Sequence, residues 1–210
     1  MADLLAAAAH NRRMKRWRVA LLLLLAFAAR AQLGETPNSI LLIAKPDLLD
    51  PNFRETVVLV TRTQDGQTVG VILNRPLPAK LAEILPDNAN TGNYRDPVFF
   101  GGPVIRRTLV ALFRSAAPPE APAFPVLKDV YLSMHPQNIE PLLAGGGSAY
   151  RLYAGFSGWA PRQLEAEIER DGWFVLSARE ELLFRKDTAG MWRELVDKAS
   201  NTRARFTSSK

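Results

Sequence analysis

Three short runs of β-branched and aliphatic residues stand close together in the chain: SILLIA at 39–44, TVVLVTR at 56–62 and TVGVILN at 68–74. Each is short for a helix and is bounded by turn formers, so each reads as a strand. The second and third are joined by TQDGQ, whose Asp65-Gly66 pair suits a tight hairpin turn. Neighbouring strands in hairpin order make an antiparallel pair, and no regular alternation of strand and helix follows.

The rest of the body extends this pattern. A short helix is predicted over 80–85, stopped at Pro86, then a polar loop over 87–96. Strands are predicted over 97–100, ending at Gly101-Gly102-Pro103, and over 108–114. The stretch PPEAPAFP at 118–125 reads as an extended surface loop, because its prolines deny both helix and ladder. A strand over 130–133, a helix over 137–144 ended by three glycines, and a strand over 150–156 come next. The clearest helix is 161–171, with Leu164 and Ile168 on one face and Glu165, Glu167 and Glu169 leaning outward. A strand over 173–177 and a closing helix over 188–200, able to bury Trp192, Leu195 and Val196, complete the body. From 201 to 210 the chain reads as a basic, flexible tail. The expected fold class is α+β, an antiparallel or mixed sheet with flanking helices.

Composition removes several function classes. The chain has no cysteine, which excludes disulfides, thiolate catalysis and cysteine-ligated zinc. Its two histidines are His10 and His135, and a body holding only His135 cannot build a histidine-rich metal site. The dinucleotide fingerprint is absent, and no cofactor is expected. The net charge of +6 is concentrated at the start: residues 1–31 hold six Lys or Arg against Asp3, which leaves 21 bases and 20 acids in the remainder. A near-neutral body gives no charge argument for nucleic acid.

Residues 12–31, RRMKRWRVALLLLLAFAARA, have the three-part layout of an export signal: a cationic patch, an apolar core, and small residues at Ala29 and Ala31. Cleavage before Gln32 is expected, leaving a mature domain over 32–200 and the tail. The core is shorter than the roughly 20 residues a membrane span needs, so membrane contact through the leader is expected to be transient. Met14 offers an alternative start ahead of the same signal. The alternative to export is a basic extension on a cytoplasmic protein.

The order of blocks SILLIAKPDLLDPNFRETVVLV, GVILNRPL, FFGGPV, YAGFSGWAPRQLEAEIERDGWF and LLFRKDTAGMWREL resembles the AlgH family, also called YqgE-like proteins, over residues 39–198. The resemblance implies a single compact domain built on a bulged, mostly antiparallel sheet or partial barrel. It also implies a regulatory role, since members carry the label of transcriptional regulators, but no agreed reaction, cofactor or DNA-contact residue. Two departures stand out: members generally lack an export signal, and their helix motif Gly-Gln-Leu-Glu is replaced here by Pro161-Arg162-Gln163-Leu164-Glu165. Export would rule out direct promoter binding.

Five residues are candidates for a ligand or partner surface: Arg54, Asn74, Arg75, Gly101 and Gly102. In Asp50-Pro51-Asn52-Phe53-Arg54-Glu55, the turn formers and Phe53 serve a strand connection, while the guanidinium of Arg54 suits phosphate or carboxylate. Asn74-Arg75-Pro76 ends a strand and has the same two readings. Gly101-Gly102 allows a tight turn or a close backbone approach. The partner expected is a protein or a small anionic ligand, in a binding or regulatory module. Two alternatives remain, a carboxylate-dependent hydrolase or transferase using Glu165 and a cytoplasmic DNA-binding regulator; no catalytic residue or metal ligand is assigned. Gly155-Phe156-Ser157-Gly158 reads as a strand-to-helix link without the spacing of a nucleophile elbow. Arg106-Arg107 reads as surface.

Overall fold

In the computed structural model, residues 39–207 are described, except 64 and 146–148, with side chains described as far as 201. The expected leader lies outside the described residues. The order is β1 (Ser39–Ala44), β2 (Val57–Arg62), β3 (Thr68–Ile72), α1 (Leu81–Ile84), a 3-10 turn (Thr91–Asn93), β4 (Phe99–Phe100), β5 (Val104–Arg114), β6 (Phe124–Leu127) and β7 (Val130–Ser133), then α2 (Pro136–Leu143), β8 (Tyr150–Trp159), α3 (Gln163–Glu169), β9 (Trp173–Ser177), α4 (Glu180–Leu183) and α5 (Met191–Thr207).

The strands form one nine-stranded sheet in the order β6-β7-β5-β8-β3-β2-β1-β9, with β4 paired to β8 off this path. Every pairing is antiparallel except β4 with β8. The sheet curls. Thr61 on β2 donates its hydroxyl to the carbonyl of Pro125 on β6 at 3.0 Å, although four strands separate β2 from β6 in the sheet. The concave interior holds Leu41, Leu59, Val71, Val110, Leu132 and Tyr153, closed by Leu183, Met191 and Leu195 from the last two helices. Trp192 on α5 fixes that closure by donating its indole N–H to the carbonyl of Ala44 at 2.7 Å. The described residues thus form a single compact α+β domain, a half-barrel with helices against it.

Four elements differ from expectation. The proline-rich loop contributes β6, whose Pro125 pairs with Tyr131. This is an edge strand, where a missing N–H costs no ladder bond. The segment read as a strand-to-helix link stays in β8 as far as Trp159, and Ser157 is buried there, donating to the carbonyl of Gly101 at 3.0 Å. Strand β5 begins at Val104 rather than 108, across an irregularity. The closing helix runs to Thr207, past its expected end at 200.

Glu167 does not lean outward. Its Oε2 accepts the indole N–H groups of both Trp159 and Trp173, each at 3.1 Å. Phe53 stacks on Trp159 and meets Trp173 edge-on, with both centroid distances 5.7 Å. The loop after β1 is therefore pinned at Phe53 by an aromatic cluster whose polar edges are satisfied.

Candidate functional site

The Phe53 anchor determines where residues 50–55 lie. Asp50 caps the turn, accepting from Asn52 N through its side chain at 2.7 Å and from Arg54 N through its carbonyl at 2.8 Å. Glu55 leaves the turn with φ 56°, a left-handed conformation, and the chain enters β2. Asn74, just past β3, sits between that turn and β2. Its Oδ1 accepts from Val57 N at 2.8 Å and its Nδ2 donates to the Glu55 carbonyl at 2.9 Å. Both ends of the amide are committed to the backbone, so Asn74 frames the site.

Arg75 donates through Nη1 to the carbonyl of Asn52 at 2.7 Å and through Nη2 to that of Arg54 at 2.9 Å. Among the described residues, no carboxylate lies within ion-pair distance of Arg54, Arg75 or Arg193. Burial, then the neighbouring charge of Arg54, pushes the Arg75 pKa below its ordinary value, while Glu55 acts the other way. A half-buried cation held by neutral carbonyls retains unbalanced charge, and a guanidinium with five N–H donors has some left after two bonds.

Arg54, Asn74 and Arg75 line one cleft of about 590 Å³, together with Pro51, Glu55, Thr188–Gly190 just before α5, and Trp192 and Arg193 in its first turn. Arg193 and Trp192 were not legible as site residues, because only the packing of α5 on β1 brings them there. The first N–H groups of a helix have no partner within it, which adds positive potential to that wall.

Gly101 and Gly102 do not line this cleft. Both are buried in the contact between β4 and β8, where a Cβ on Gly101 would stand 2.1 Å from the carbonyl oxygen of Gly155. Their smallness serves backbone packing, and the preceding Phe100 donates its N–H to the Arg75 carbonyl at 2.8 Å.

Glu165, the carboxylate considered for acid or base chemistry, pairs with Arg62 on β2. His135 caps α2, accepting from Gln137 N through Nδ1 at 3.3 Å. Among the described residues, no cluster of three or more His, Cys, Asp or Glu could hold a metal ion. A further cation, Arg151, is 7% exposed, donates through Nη2 to the Arg185 carbonyl and lies 4.7 Å from the Phe99 ring centre. It is an interior group that a ligand in the cleft does not reach.

The described residues thus form a curled α+β half-barrel with an arginine-lined cleft on its surface. The chain belongs to the AlgH-like family, whose model matches residues 41–203. A UPF0301 protein of Mycobacterium tuberculosis is 39% identical over 161 residues, spanning 74% of this chain and 79% of the relative. One of Mycobacterium avium is 39% identical over 145 residues, spanning 66% and 70%. The solution structure of the AlgH protein from Pseudomonas aeruginosa superposes with a TM-score of 0.61 at 28% identity, over 73% of this chain and 84% of that one. A crystal structure from Corynebacterium diphtheriae, at 24% identity and TM-score 0.57 over 76% and 84%, shares the fold.

Proposed function

We propose that this chain is a non-catalytic binding or regulatory module that takes a small anion, a phosphate or a carboxylate, in the cleft between residues 51–55, Arg75 and the start of α5. One observation carries the reading: Arg75 is half-buried, hydrogen-bonded to main-chain carbonyls, and shares the cleft with Arg54 and Arg193, while the carboxylate lining it, Glu55, forms no ion pair with them among the described residues. An incoming anion supplies the missing charge and accepts charge-assisted hydrogen bonds from a preorganised guanidinium. A hydrolase built on Glu165 is disfavoured by the pairing of that carboxylate with Arg62. Titration calorimetry of the full chain with inorganic phosphate tests the proposal. Saturable binding, lost when Arg54 and Arg75 are both changed to Ala with circular dichroism unchanged, supports it; binding unchanged in that variant refutes it.

The leader makes export part of the same proposal. N-terminal sequencing after cell fractionation is expected to find a chain beginning near Gln32 outside the cytoplasm. An intact N-terminus in the cytoplasm overturns export and restores the regulatory label, with the basic leader then a candidate contact for nucleic acid or membrane.

A further inference from the structure

Strand β5 carries a bulge that the anion reading leaves unused. The register passes from Val104 opposite Phe156 to Leu109 opposite Ala154, so residues 105–108 stand against Gly155 alone. The excess chain folds back over β8, and Gly155 makes room for it. With φ 72°, a Cβ there would lie 2.6 Å from the Gly102 carbonyl oxygen and 3.1 Å from the Arg106 Cα. At the start of the bulge Ile105 adopts φ 38° while 63% exposed. A β-branched residue in the left-handed region is strained, and an exposed one recovers little by burial. Bulges of this kind redirect side chains.

The side chain redirected here is Arg106. Its guanidinium lies 5.5 Å from the Phe100 ring centre, while that of Arg75 lies 5.8 Å from the same centre. Both are tied to one residue. Arg75 donates to the Asn52 carbonyl, and Arg106 donates through Nη2 to Asn52 Oδ1 at 3.4 Å. The two charges are therefore separated by no more than the sum of their distances to the ring, and no carboxylate among the described residues is in ion-pair range of Arg106.

We infer that Arg106 is a specificity-determining residue that extends the cleft into a two-point site for a polyanion with the chemistry of an oligophosphate, one group at Arg75 and another at Arg106. This rests on the anion reading of the cleft. Orthophosphate fills the Arg75 end alone, whereas a longer chain of phosphates reaches both guanidiniums. Arg106 is exposed, so its replacement leaves the fold intact.

The test is titration of the full-length chain with orthophosphate and with tripolyphosphate, in wild type, Arg106→Ala and Arg75→Ala. Wild type is expected to bind tripolyphosphate at least tenfold more tightly than orthophosphate. Arg106→Ala removes that preference and leaves orthophosphate binding unchanged; Arg75→Ala weakens both. Equal affinities in wild type, or a preference that survives Arg106→Ala, overturn the role of Arg106 while leaving the cleft reading standing. Absence of binding to either probe overturns both.

Discussion

Arg75 reaches back 23 residues to donate to the main-chain carbonyl of Asn52 at 2.7 Å. That bond makes a positive charge part of the scaffold of the loop it faces. The loop before β2 and the segment just after β3 are therefore tied together, which under the proposed anion reading lowers the ordering cost of binding.

Replacing Asn74 by Ala removes the acceptor for the N–H of Val57, a residue with no solvent exposure, and the donor to the Glu55 carbonyl. A buried donor left without a partner costs about 1–3 kcal/mol. Denaturant unfolding is expected to show a loss in that range with an unchanged slope. A loss within error contradicts the framing role.

Gly101→Ala places a methyl group 2.1 Å from the Gly155 carbonyl oxygen and 3.0 Å from the Tyr153 Cβ. The obstacles are backbone and a core side chain, so the strand pair must separate, at a cost of more than about 3 kcal/mol. Gly92→Ala, with nothing within 4 Å of its Cβ, is the control and is expected to be tolerated. Equal thermal midpoints for the two variants refute the close approach.

Ile105→Gly relieves the left-handed strain at an exposed position. The relief exceeds the extra backbone entropy lost by glycine, for a net gain of about 1 kcal/mol. Lower stability by chemical denaturation shows instead that the Ile105 side chain contributes more than its conformation costs.

Alkaline pH is expected to weaken the fold through Tyr94. Its hydroxyl donates to the Pro97 carbonyl and accepts from Leu152 N, each at 3.1 Å, and burial pushes its pKa up to about 12. Below pH 10 the group is protonated in both folded and unfolded chains, and its contribution is complete. Between pH 10 and about 12 only the unfolded chain ionises, so stability falls by roughly 1.4 kcal/mol per pH unit from this group. Burial raises Tyr153 and Tyr150 in the same direction. Tyr94→Phe therefore shallows the slope without flattening it, and an identical slope in wild type and variant contradicts the assignment.

The sheet was largely legible because its strands announce themselves by β-branched runs with no competing helical period. What escaped follows from position in the sheet. Pro125 argues against a strand in isolation, yet an edge asks nothing of its missing N–H. Gly155 and Gly158 resemble a turn in sequence, although a glycine inside a strand pattern also signals a bulge or close approach. At Gly155 the approaching chain is the bulge that carries Arg106, a residue that reads in sequence as ordinary surface. Arg54, Asn74 and Arg75 flank strand ends, where the sequence marked them, and the fold brings them to one cleft. Gly101 and Gly102 carried a signal of close approach as well, and the approaching group is the backbone of β8. The contributions of Trp192 and Arg193 depend on the docking of α5, a contact between residues 148 positions apart in the case of Trp192 and Ala44.

Backbone amide resonances of the full chain, followed during titration with inorganic phosphate, test the proposed anion site most directly. Saturable shifts are expected at residues 52–55, 75 and 190–193, with their loss in a folded Arg75→Ala variant. Shifts spread evenly over the surface, or the same localised shifts in Arg75→Ala, would contradict an anion site built on that guanidinium.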